Sequence, residues 1–225
     1  MCNRLNQHLT HLQRREVLRT GVLPEWASRF NVGFSTRALM LRRDGPGRLV
    51  SEAARWGLVP NWSKGPDDPR CRDLWHARAE SLHEKPSFRE ALATRRCVIP
   101  AAGFYEAEDI GRGERQNWYL RPADGDLLLI AGLYDIWSGG DETLVSLAVV
   151  TSAPNEMIAR IHDRMPVVLD EPAALRWLDQ GGQEILRPCP ADRLTMSPVS
   201  SYVAKRGSEG PQCIEPIRPQ KFLFE

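Results

Sequence analysis

Apolar and polar positions in this chain alternate in many short runs, and few stretches keep the spacing of a long amphipathic helix. Residues 38–41 and 48–50 flank Asp44-Gly45-Pro46-Gly47, which is the signature of a hairpin. Its second arm runs on into 55–62, where Trp56 and Trp62 bracket a Gly and a Pro, and then into a polar loop over 63–72. Residues 97–106 read as a buried strand that Pro100 and Gly103 bend or break. The pattern predicts a second hairpin, with arms 118–121 and 127–134 joined by Pro122-Ala123-Asp124-Gly125-Asp126, and further strands over 143–151, 167–169 and 194–199. Helical spacing is confined to short segments. One covers 8–20, with Leu9, Leu12, Val17 and Leu18 among basic residues, and another starts with Ser87 as N-cap and Glu90 at the capping-box position. A third covers 154–162, with Met157, Ile158 and Ile161 on its apolar face, and a fourth covers 172–180. The Pro-rich tail is expected to wrap the fold. These elements predict one α+β domain over 1–225, built on a mixed or antiparallel, barrel-like sheet with a few short peripheral helices.

Composition narrows the function classes. Hydrophobic residues make up 42% of 225, which is ample for one core. The net charge of +1 announces no global nucleic-acid field. Of 30 basic residues only Lys64, Lys85, Lys205 and Lys221 are lysine, so guanidinium forks are available for a local phosphate-binding groove. Arg richness equally suits a GC-rich genome. Five cysteines at 2, 71, 97, 189 and 213, with no CxxC pair, argue against a disulfide framework and a structural zinc site. No cofactor is called for. The N-terminus lacks the apolar core of a signal peptide, and the longest apolar run, 127–134, is too short to span a bilayer. The expectation is a cytoplasmic protein with no membrane association.

The N-terminus carries the most specific chemistry. Removal of Met1, which the small Cys2 side chain permits, leaves a 1,2-aminothiol. Its amine attacks an aldehyde to give an imine, and the neighbouring thiol closes on the imine carbon as a thiazolidine. Reference pKa values of about 7.7 for the amine and about 8.5 for the thiol keep both nucleophiles accessible near neutral pH. Glu106, directly after an apolar run, is a candidate for proton transfer, and equally a strand-end carboxylate in a salt bridge. His162, ending the predicted helix, is a candidate polar residue in an apolar context or simply a capping histidine, and His76 is a like candidate or a surface or core-satisfied imidazole. No GxGxxG, Walker A, HExxH or GxSxG motif is present, which removes the commonest nucleotide-binding, zincin and α/β-hydrolase readings.

MCxR at the start, WGLVPNW at 56–62, HARAE at 76–80, RCVIPAAGFYE at 96–106 and IHDRMPVVL at 161–169 resemble the ordered motifs of the SOS response-associated peptidase family. The resemblance spans residues 1 to 170. It implies a barrel-like α+β fold, self-removal of Met1, and a sensor of abasic sites in single-stranded DNA that couples Cys2 to the ring-opened sugar as a thiazolidine. It also implies Cys2 as nucleophile, Glu106 as acid and base at the amine and imine, and His162 as the group that opens the sugar ring and shuttles protons. His76 stands where the family has the Asn that positions the Cys α-amine. Arg4, Arg78 and Arg164 become candidate phosphate contacts and Trp62 a base-stacking platform; as structural residues they are ion pairs and core packing. Asn3 replaces the family's Gly and Ala107 its Trp, which removes an aromatic from the expected DNA-facing rim. No obligate protein partner is implied. Two rival readings use the same residues: an N-terminal-nucleophile or cysteine peptidase or amidohydrolase, which would turn over, and a non-covalent single-stranded DNA binder.

Overall fold

The computed structural model of the protein describes residues 3–9, 28–45 and 47–219. Among these residues thirteen strands run in chain order: β1 (Arg4–Gln7), β2 (Arg29–Gly33), β3 (Arg37–Arg43), β4 (Leu49–Trp56), β5 (His76–Arg78), β6 (Arg96–Ala101), β7 (Gly103–Gly111), β8 (Glu114–Pro122), β9 (Leu128–Gly139), β10 (Glu142–Ser152), β11 (Met165–Pro166), β12 (Val168–Leu169) and β13 (Leu194–Val199). Among the described residues there are also two short helices, α1 (Pro86–Thr94) and α2 (Glu171–Asp179), and several 3-10 turns. Strand β3 pairs with β4 and β6, β6 with β9, β9 with β10, and β10 with β4 in parallel, so five strands close into a barrel. The remaining strands form a separate sheet, in the order β13-β8-β7-β1-β2, that packs against the ring through a shared core. The α+β, barrel-like architecture expected from the sequence is therefore what the chain adopts.

Alternation along the barrel strands explains how this closes. Met40, Trp56, Ile99, Ile130, Leu147 and Val149 share one cluster with Leu5, Phe104 and Leu120 of the five-stranded sheet. The intervening residues Val98, Ala131, Leu133 and Ala148 face the other way and are covered by Phe88 and Ala91 of α1 and Trp177 of α2. Trp177 is fully buried, and its indole N–H donates to the Cys97 carbonyl at 3.0 Å. A barrel strand buried on both faces requires neighbours on both edges. That is why the predicted hairpin over 118–134 does not form: β8 pairs with β7 and β13, and β9 with β6, β10 and β12. The turn at Pro122–Asp126 carries the chain from one sheet to the other, since a turn signal fixes a reversal but not the strand's partners.

Other expectations shift in detail. The predicted helix over 154–162 reduces to one 3-10 turn at Ile158–Arg160. Asn155 shapes that turn, accepting from the Ile158 N–H while its amide donates to the Cys189 carbonyl at 3.0 Å. The helix expected from Ser87 begins at Pro86 with Lys85 at the N-cap and no side-chain cap, because proline presets the first helical φ. Strands β1 and β2 were not anticipated. The helix expected over 8–20 lies outside the described residues from position 10 onward.

Where the sequence read one broken strand over 97–106, β6 and β7 meet at Ala102, whose N–H donates to the Asn6 carbonyl. Gly103 there is irreplaceable: a Cβ would stand 2.5 Å from the Leu120 carbonyl oxygen and 2.5 Å from the Tyr119 ring. We expect Gly103→Ala to destabilise the fold by about 1–3 kcal/mol, seen as a lower urea midpoint at unchanged slope.

Candidate active site

Strand β1 is locked in register by its own polar side chains. Fully buried Gln7 donates to the Leu39 and Pro100 carbonyls and accepts from the Leu39 N–H. The register places Arg4 opposite Tyr105, the residue before Glu106. Cys2 lies outside the described residues, two positions along the chain from Arg4.

Glu106 sits inside β7 between β1 and β8 and is 4% exposed. Burial raises its carboxyl above the ordinary value, and the nearby His162 opposes that shift. His162 Nε2 lies 3.8 Å from Glu106 Oε1, too far for a direct hydrogen bond and close enough for both groups to touch one small reactant between them. The Arg164 backbone N–H lies 3.0 Å and Asp163 Oδ1 2.8 Å from His162 Nδ1, so the ring is held by its own segment at Nδ1 and turns Nε2 toward Glu106. The two groups sequence analysis singled out thus meet across one space, although 56 positions separate them (162 less 106).

Strand β5 runs parallel to β10 with His76 opposite Val149, and the imidazole meets Phe34 edge-on at 5.3 Å and Trp56 at 6.1 Å. Phe34 in turn lines a cleft of about 870 Å³ shared with Glu106 and His162. Four arginines, Arg4, Arg29, Arg115 and Arg206, stand against the single carboxylate of Glu106 among the described lining residues. Such a cleft attracts a polyanion although the whole chain is nearly neutral.

The sequence candidates for DNA contact distribute unevenly. Arg4 lines the cleft, donating to Asn31 Oδ1 and the Ala204 carbonyl, both at 3.0 Å. Arg78 is exposed on β5. Arg164 forks onto Glu80 at 2.8 and 2.9 Å and onto the Thr151 carbonyl at 2.7 Å, holding the motifs at 76–80 and 161–169 together against β10. That fork keeps the Glu80 carboxyl below its ordinary value. Arg164→Gln is expected to cost about 1–2 kcal/mol of stability, read as a lower Tm; an unchanged Tm with weaker DNA binding would assign the guanidinium to DNA instead. Trp62, 43% exposed, carries the Arg70 guanidinium 4.8 Å above its ring beside Arg89 and Glu90, and shares no lining residue with the cleft. Sequence reasoning missed Phe34, Arg29, Arg115 and Arg206, which come from separate segments and carry no motif.

Comparison with known proteins agrees with this architecture. The family model described as SOS response associated peptidase (SRAP) matches residues 1–206. The abasic site processing protein YoqW of Bacillus subtilis is 34% identical over 198 residues, covering 85% of this chain and 87% of the relative. The abasic site processing protein HMCES of Xenopus tropicalis is 34% identical over 194 residues, which is 75% of this chain and 58% of that longer protein. Among solved structures, a protein from Bacteroides thetaiotaomicron superposes with a TM-score of 0.83 at 20% identity over 96% of this chain and all of that one, a likeness of fold. The chain belongs to the SRAP family, the SOS response-associated peptidases.

Proposed function

We propose that this protein processes abasic sites in single-stranded DNA by covalent capture on Cys2 after removal of Met1. The observation that carries the reading is the buried Glu106 facing His162 Nε2 at 3.8 Å in an arginine-lined cleft. Relatives named as abasic site processing proteins support it. Covalent geometry adds a constraint, since two residues of chain span at most about 7 Å and Arg4 is paired beside Glu106.

An abasic deoxyribose exists mainly as a closed hemiacetal, whose C1′ becomes an aldehyde when the ring opens. His162 Nε2 faces the cleft and is suited to relay the hydroxyl proton during that opening. The Cys2 amine then adds to C1′ and gives a carbinolamine. Protonated Glu106, favoured by its burial, donates a proton to the departing hydroxyl, and water leaves as the iminium forms. The Cys2 sulfur closes on the same carbon while its proton passes to the Glu106 carboxylate, which regenerates the acid. The sum is aldehyde plus aminothiol giving thiazolidine plus one water. Ring closure removes the iminium before β-elimination breaks the strand. By resemblance His76 stands where the family has an Asn that would hold the amine, and an imidazole can supply a single donor or acceptor for that task.

The arginines serve the strand on either side of the lesion. Phosphate contacts fix register without reading sequence, so binding is expected to weaken steeply with salt. The reading is tested by mixing the protein with an oligonucleotide carrying one abasic site and following the product on a denaturing gel. Capture consumes the protein one for one and yields a heat-stable shifted band. Repeated turnover of a peptide or amide substrate with no shifted band would replace capture with hydrolysis.

A further inference from the structure

The cleft extends past the Glu106–His162 pair onto a second surface. Glu106 and Ala107 are successive residues of β7 and project to opposite faces of the sheet, yet both line the cleft. On the Ala107 face, β8 places Asn117 directly opposite Ala107, and β13 places Val199 on its other flank. Asn117 is 8% exposed and lines the cleft. Its backbone carbonyl accepts from Gln116 Nε2 at 2.7 Å, but its side-chain amide makes no hydrogen bond among the described residues. The residue is largely buried between alanine and valine, while its amide opens on the cleft with donor and acceptor free for a ligand. The small Ala107 leaves the space beside it open. Two exposed guanidiniums line the same cleft, Arg115 two residues along β8 and Arg206 from the segment after β13, and neither has an ion-pair partner among the described residues.

We propose that Asn117, with Arg115 and Arg206, forms a nucleotide subsite that reads the base next to the abasic sugar. The amide offers one donor and one acceptor in a plane, the pair that matches the adenine edge, while the guanidiniums hold the adjoining phosphates. Bare phosphate recognition makes no use of the paired donor and acceptor of a neutral amide. A base with a hydrogen-bonding edge uses it. The inference rests on the DNA-processing reading above and adds sequence context to it.

The test uses wild-type protein and oligonucleotides carrying one tetrahydrofuran residue, an abasic analogue with no aldehyde, so equilibrium binding is read apart from crosslinking. The nucleotide on each side of the analogue is varied through the four bases, and Kd is measured by fluorescence anisotropy. Adenine on one side is expected to bind about fivefold or more tightly than the weakest base there, and Asn117→Ala should bring the four within about twofold. Arg115→Gln and Arg206→Gln should weaken all four alike and reduce the salt dependence. Equal Kd values for the wild type, a spread that survives Asn117→Ala, or no binding to any of the four would overturn the subsite. Failure of covalent capture is recorded separately, as the absence of a shifted band with an aldehyde-bearing oligonucleotide.

Discussion

Cys2→Ala is expected to abolish the heat-stable adduct completely while non-covalent affinity for the same oligonucleotide stays within about twofold, because phosphate contacts carry that affinity. Alanine keeps the α-amine and removes only the sulfur. The variant therefore separates two steps: an imine can still form, and hydride trapping with borohydride should reveal it, but nothing closes onto it. Without closure the iminium is exposed to β-elimination, so the variant should nick the strand where the wild type protects it. A denaturing gel with and without borohydride reads both outcomes. A heat-stable adduct persisting in Cys2→Ala would move the nucleophile elsewhere in the chain.

Glu106→Gln should slow adduct formation by about a hundredfold to ten-thousandfold, the usual range for losing a positioned acid or base. Its effect on stability runs the other way. Burial raises the Glu106 carboxyl, so the folded chain holds that proton more tightly than the unfolded chain does. From the ordinary carboxylate range up to the raised value the folded state binds more protons, and stability falls as pH rises through that window. Glutamine carries no such charge and removes the fall. Urea denaturation across pH should therefore show the variant at least as stable as the wild type near neutrality, with the wild type regaining ground as pH drops. A variant both inactive and less stable at neutral pH would make Glu106 a structural residue.

How much of this was legible in the sequence depends on range. Local signals held up: the Asp44-Gly45-Pro46-Gly47 stretch lies between the paired β3 and β4, and 194–199 is a strand with the expected bounds. Partner choice was not legible. Pro122–Asp126 carries the signs of a hairpin turn, yet the strands around it join different sheets, β8 pairing with β7 and β13 and β9 with β6, β10 and β12. Asn155 turned an expected helix into a single turn through a bond to Cys189, 34 residues away. At the site, the candidates that a motif carries, Glu106 and His162, stand together in the cleft. The bidentate Arg164–Glu80 pair matches the ion-pair alternative recognised for that arginine in the sequence. Arg29, Arg115 and Arg206 converge only through folding, since no periodicity links positions 29, 115 and 206.

The measurement that tests covalent capture most directly is the intact mass of the protein before and after incubation with a single-stranded oligonucleotide bearing one abasic site. The account predicts a starting mass lacking Met1, then a single product equal to protein plus oligonucleotide less one water, unchanged by borohydride. A chain that retains Met1, or one that loses it and forms no adduct, would contradict capture on Cys2.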